Sequence, residues 1–257
     1  MTRRFALLAA GLLAVSPLVL PAPPATAASA SVTLSVLRAQ QVLAGLDYLP
    51  LGFSHALTPA PAPQAGGFFW RVTLPLATRQ SWRTAAPNPL FAAALMSFER
   101  LANLPTYPYL TAQSSSALLA AAAAHRRDPT TYNAVYVTES SPERAYLYVN
   151  GRLQFATLAN TGVPGAPTSL GTYPVYLRYV SQTMSGTNLN GSHYSDPGIP
   201  WVSYFNGGDA LHGFVRAAYG FPQSLGCVEM PPSNAKVLWP YTPIGTPVTV
   251  AATPPRA

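Results

Sequence analysis

The chain has 257 residues, 49% of them hydrophobic and only 9% charged, with a formal net charge of +7. That apolar fraction is enough for a packed core, which excludes a disordered chain. The basic excess is scattered, with no Lys/Arg run interleaved with aromatics, so a nucleic-acid-binding surface is not indicated.

The N-terminus reads as a secretory signal. Arg3 and Arg4 precede the apolar run FALLAAGLLAVSPLVL from Phe5 to Leu20, and a Pro/Ala tract then ends in ATAASA. Basic residues, an apolar stretch and small residues at A-x-A sites make a cleavable signal peptide. The run spans about 16 residues and is broken by Pro17, whereas a membrane-spanning helix needs about 20. Residues 1–30 are therefore expected to be removed, with the mature chain starting at Ala28 or Ser31 and carrying no integral membrane segment. No cysteine directly follows the run, so no lipoprotein anchor is expected. Without Arg3 and Arg4, 13 basic residues remain against 8 acidic, a net of +5. A weakly basic exported protein suits an anionic cell wall.

Composition shifts near residue 128, so residues 31–128 are expected to form a small helical domain and residues 129–257 a predominantly β domain, an α+β chain overall. In LSVLRAQQVLAGLDYLPL, Leu34, Leu37, Val42, Leu43 and Leu46 approximate a helical apolar stripe, ended by Gly45 and Asp47. The Pro- and Gly-dense TPAPAPQAGGFFWRV reads as an irregular loop. Helical spacing returns in LFAAALMSFERLANL, through Leu90, Ala94, Leu95, Phe98 and Leu101, and TAQSSSALLAAAAAH is a third helical segment. From Asn133 the period changes to two. AVYVTES and AYLYVNGRLQFATL are strands, and Asn150-Gly151 is a two-residue hairpin turn. GTYPVYLRYVS, IPWVSYF, the stretch around LHGFV and TPVTVAA are further strand candidates, and Ser233 is a plausible N-cap for a short helix, NAKVLW.

Chemistry concentrates in the second part. Cys227 is the only cysteine, so it cannot form an internal disulfide in a compartment that favours them. It is either a small buried hydrophobe or a nucleophile. A thiol attacks an acyl group as thiolate and needs a basic partner. His212, in DALHGFV, precedes it by a loop long enough to fold one onto the other. Gly226 lets the backbone approach a tetrahedral intermediate, and the Cys227 N–H is a candidate oxyanion donor. Dispersed histidines and one cysteine offer no metal-ligand spacing, and the proposed chemistry needs no cofactor.

The words LANTGVPGAPTSLGTYPVYLRYVSQTMSG, IPWVSYFNGGDALHGF, YGFPQSLGCVEM and PIGTPVTV occur in an order that resembles the L,D-transpeptidase (YkuD-like) catalytic domain, over roughly residues 133 to 251. The resemblance implies a β-sandwich-like fold in which Cys227, activated by His212, attacks a peptidoglycan stem peptide. The thioester is then passed to an amine. It implies that the Gly213 carbonyl holds the imidazole tautomer and that Ser224, Leu225 and Gly226 form the turn before the nucleophile. Thr168 and Gly171 would lie in a substrate-side hairpin.

The chain departs from the family's Ser/Thr-His-Gly-Cys pattern at Leu225, which can neither donate nor accept a proton. If the missing imidazole is the essential base, the site is dead; if it shapes the loop, His212 and Cys227 remain competent. Glu229 could pair with a stem-peptide amine, raise the thiol pKa by like-charge repulsion, or pair with an arginine. His193, near Tyr194 and Asp196, is a third candidate, either substrate-binding or merely exposed. His55 and His125 have no evident chemistry. In the helical part, Gln40, Gln41, Phe98 and Glu99 resemble a peptidoglycan-binding repeat module, or serve ordinary helix packing. The leading expectation is an exported cysteine transpeptidase of the cell wall. The alternatives are an inactive wall-binding protein with a degenerate domain, and a cysteine peptidase, against which the order His before Cys argues.

Overall fold

The computed structural model describes residues 33–54 and 67–256. The expected signal segment and His55 lie outside the described residues. Ser31–Ala257 form one compact unit.

Three helices form where the apolar spacing is helical. Helix α1 (Val36–Gly45) starts at Ser35, whose side chain accepts from the Arg38 N–H, and it ends as Asp47 turns to φ 68°. The single turn α2 (Leu76–Arg79) comes between, and α3 (Pro89–Leu101) starts at Asn88, whose side chain accepts from Phe91 N–H at 3.0 Å with proline in the first turn. Helix α4 (Ala112–Ala123) has a reciprocal cap between Thr111 and Ser114. Their apolar faces meet in one cluster around Val42, Leu43, Leu49, Leu95 and Leu118, with Tyr48 edge-on to Phe98 at 5.4 Å. Of the stretch expected to be irregular, the described residues 67–72 include a strand. Phe68–Trp70 (β2) pairs antiparallel with Leu51–Phe53 (β1), because Phe68 packs on both Phe53 and Trp82.

The second part is two facing sheets. The first consists of β3 (Asn133–Thr138), β4 (Arg144–Val149), β5 (Arg152–Leu158), β6 (Gly171–Pro174) and β11 (Pro247–Ala251), in the order β5-β4-β3-β11-β6. The second consists of β7 (Leu177–Thr187), β8 (His193–Asn206), β9 (Asp209–Gly213) and β10 (Val228–Met230), in the order β10-β9-β8-β7. Pairing is antiparallel except for β3 with β11 and β9 with β10. Val135, Val137, Leu147, Val248 and Val250 from the first sheet meet Phe205, Leu211, Val228 and Met230 from the second in one buried cluster. This is the α+β sandwich expected. Asn150 and Gly151 both have positive φ, 49° and 76°, the backbone that a two-residue hairpin between right-twisting strands needs.

Two local expectations are corrected. GTYPVYLRYVS is two strands: β6 stops at Pro174, which has no N–H for the ladder, and Val175 N–H turns to Thr246 O. The short helix α5 (Pro232–Leu238) begins one residue before Ser233, at a proline suited to the first helical position, so Ser233 does not cap it. Strand β10, which carries Glu229, has no signal of its own; three residues become a strand only by lying beside β9.

Candidate active site

His212 stands in β9 directly opposite Glu229 of β10 in the parallel register, and Cys227 immediately precedes β10. The pairing of these two strands brings residues of the LHGF and LGCVEM segments side by side. His212 and Cys227 line the same cavity of about 340 Å³, together with Ser224, Leu225 and Glu229 from the sequence-derived set.

The turn before the thiol is held from both sides. Gly226 has φ 116°, and a Cβ added there would stand 2.6 Å from Asp209 Oδ1, so both backbone and space demand glycine. Ser224 Oγ donates to the Cys227 carbonyl and accepts from Gly226 N–H at 3.2 Å. Behind it, buried Glu143 accepts from Thr161 N–H and Oγ at 2.6 and 2.8 Å, and the Thr161 carbonyl accepts from the N–H groups of Gln223 and Ser224.

The imidazole is buried, with Nδ1 3.1 Å from the Gly213 carbonyl. A carbonyl only accepts, so Nδ1 carries the hydrogen and Nε2 the lone pair. Burial lowers the His212 pKa from its usual 6.5, against the Gly213 bond and Glu229, which raise it. The base is thus neutral at physiological pH. Burial also pushes the Cys227 thiol up to about 12; the Ala210 N–H opposes this, while Asp209 and Glu229 add to it. The sulfur's hydrogen bond goes to Gly208 O at 3.6 Å. The resting pair is therefore thiol and neutral imidazole.

Of the readings of Glu229, the arginine pair is the one observed. Arg216 grips it bidentately at 2.7 and 2.8 Å while lying over the Phe214 ring, 4.5 Å from its centroid. Three expected substrate contacts lie elsewhere. Thr168 is buried and its Oγ accepts from Gly162 N–H at 2.9 Å, fixing the turn of residues 162–168. Gly171 opens β6 at φ 137° beside the Tyr173 ring. His193 is exposed at the start of β8, with Nδ1 3.2 Å from Thr187 Oγ. None of the three lines the cavity. Tyr194, Asp196 and Arg216, to which the sequence assigns no site role, are among the residues that do; the period-two alternation of β8, which sends 194 and 196 to the face opposite 193, is the signal that finds the first two.

In the helical part the four resembling residues are buried in structural roles. The Gln40 amide donates to the carbonyls of Arg83 and Ala86 and accepts from Ala85 N–H; Gln41 is buried in α1. Phe98 packs on Tyr48, and Glu99 accepts from Tyr107 N–H at 2.7 Å. Among the described residues, no group of three or more His, Cys, Asp or Glu is placed to hold a metal ion, and no helix is long and apolar enough to cross a membrane.

Residues 133–250 match the family model of the YkuD L,D-transpeptidase catalytic domain, and this segment is a domain of that family. Solved structures similar to the chain include the catalytic domain of the E. faecium L,D-transpeptidase, at 27% identity over 46% of this chain and 95% of that one, TM-score 0.42. The same catalytic domain acylated by ertapenem matches at 27% identity over 48% of this chain and 98% of that one, TM-score 0.40. An L,D-transpeptidase from Mycobacterium smegmatis matches at 20% identity over 47% of this chain and 58% of that one, TM-score 0.43. The match thus spans under two thirds of the mycobacterial protein's length. No curated protein matches the chain.

Proposed function

We propose that the chain is an exported cysteine L,D-transpeptidase that acts on peptidoglycan stem peptides in the cell wall. The observation that carries this reading is the shared cavity of Cys227 and a buried His212 whose Nδ1 is occupied by the Gly213 carbonyl. As the sulfur attacks the stem carbonyl, its proton passes to His212 Nε2. Collapse of the tetrahedral intermediate breaks the amide bond, the leaving amine takes that proton, and a thioester on Cys227 remains. An acceptor amine then attacks the thioester, forms the new amide and releases the thiol, again through the imidazole. Leu225 is about one-third exposed at the cavity, where it supplies an apolar wall and no proton. Every proton step in this scheme uses His212 alone.

The test is incubation of the mature protein with tetrapeptide muropeptides, read by mass spectrometry. A covalent adduct on Cys227 and cross-linked dimers are expected, both lost in Cys227→Ala. Ertapenem, which acylates the E. faecium catalytic domain, is a second acylating probe. A folded protein that gives neither adduct nor dimer overturns the enzyme reading and favours a wall-binding protein whose domain is degenerate at Leu225. Gain of acylation in Leu225→His would then assign the loss to that position.

A further inference from the structure

Asp209 and Glu229 stand near the sulfur and Asp196 lines the same cavity, and the partners of these three carboxylates differ. Glu229 is neutralised by the bidentate Arg216. Asp209 lies against Gly226, outside the cavity lining, and its Oδ2 accepts from Ser169 N–H at 3.1 Å and from the Asn206 amide at 3.4 Å. Asp196 lines the cavity and has neither an ion pair nor a hydrogen bond from its side chain to any described residue. With His212 neutral, Asp196 and Glu229 against Arg216 leave the lining one negative charge in excess.

Beside Asp196, two residues back on the same face of β8, stands Tyr194, also in the lining. Phe214, another aromatic of the cavity, already carries the Arg216 guanidinium on its ring, whereas Tyr194, whose ring lies against Gly186 of β7, carries no cation. A carboxylate next to an aromatic side chain is a receptor for an ammonium group. We propose that Asp196, with Tyr194, forms the subsite that admits the acyl acceptor as a primary ammonium and selects it over water and neutral nucleophiles. This rests on the thioester reading above. In the transfer, the bound ammonium first loses one proton to solvent. The amine then forms the C–N bond, its second proton moves to His212, the C–S bond breaks and the thiolate takes the proton back from the imidazole. Asp196 is a positioning residue, which acts on where the acceptor nitrogen sits.

The experiment preforms the acyl-enzyme with a donor muropeptide and offers lysine amide, a cationic amine, in competition with water, and hydroxylamine as a neutral nucleophile. In Asp196→Asn, transfer to lysine amide should fall about tenfold or more relative both to hydrolysis and to transfer to hydroxylamine. Asp196→Glu should restore part of the preference. A parallel fall in all three rates, or no change in the ratio, overturns the inference. Binding of lysine amide to folded Cys227→Ala, followed by NMR, separates the two readings. Loss of that binding in the added Asp196→Asn variant is expected even where no acyl-enzyme forms. Binding indifferent to Asp196 sinks the subsite and leaves the thioester chemistry standing.

Discussion

At the scale of the residue, the proposed reaction would turn on one proton moving between Cys227 and His212, and the environment of each would fix when it moves. Burial keeps the imidazole neutral by lowering its pKa and keeps the thiol protonated by raising its own. A base works only in its neutral form, so activity should be lost as pH falls through the His212 pKa. Because that pKa is depressed, the acid limb of kcat/KM should lie below 6.5, the ordinary value. His212→Gln should slow acylation about 10²–10⁴-fold and abolish that limb, measured by adduct formation across a pH series. The cysteine and histidine that share the cavity stand out in the sequence because few residue types are suited to such chemistry. Thr168 and Gly171 entered by family likeness, and the structure gives them backbone roles instead.

At the scale of the element, the site is a product of strand pairing. β9 delivers His212, and β10, which pairs only because β9 is there, delivers Glu229; the segment between them sends Arg216 back to close the pair. Glu229 is buried, while Arg216 keeps about 30% of its side chain exposed. Removing the guanidinium strands a buried carboxylate, a loss that solvent at Arg216 partly relieves. Arg216→Ala should therefore destabilise the protein by about 2 kcal/mol in denaturant unfolding, below the range of a fully buried pair. Arg216→Lys should recover only part, since an ammonium does not reproduce the two parallel bonds. Legibility in the sequence divides along the same line. The hairpin at Asn150-Gly151 and the helix at Asn88-Pro89 follow from rules acting over a few neighbouring residues, whereas β10 and β2 exist through partners supplied elsewhere.

At the scale of the whole molecule, the helical and β parts share contacts that reach from one end of the sequence to the other. Leu76 N–H donates to Arg256 O, Thr78 and Thr249 join hydroxyls at 2.8 Å, and Arg100 reaches Ile244 O at 3.2 Å. Glu99 tests how stability depends on this packing. Burial raises its pKa from 4.5 to about 7, against the Tyr107 N–H bond, which favours the ionised form. A carboxyl whose folded pKa is raised holds its proton more tightly folded than unfolded. Its cost is absent below 4.5, grows as pH rises towards about 7 and is then complete, at most ~3 kcal/mol. Unfolding free energy should fall across that window in the parent protein, and Glu99→Gln, measured at pH 5 and pH 8, should remove that part of the slope.

The amino-acid sequence by itself determined the helical and β parts, the hairpin and which cysteine and histidine are the candidate pair, because periodicity, turn chemistry and reactivity are properties of a residue and its near neighbours. Only the tertiary structure decided that Asp196 and Tyr194 share a cavity with Cys227, that Glu229 is neutralised by Arg216, and that His193 faces away. Those facts depend on register between strands far apart in the chain, where a shift of one residue turns every side chain to the other face.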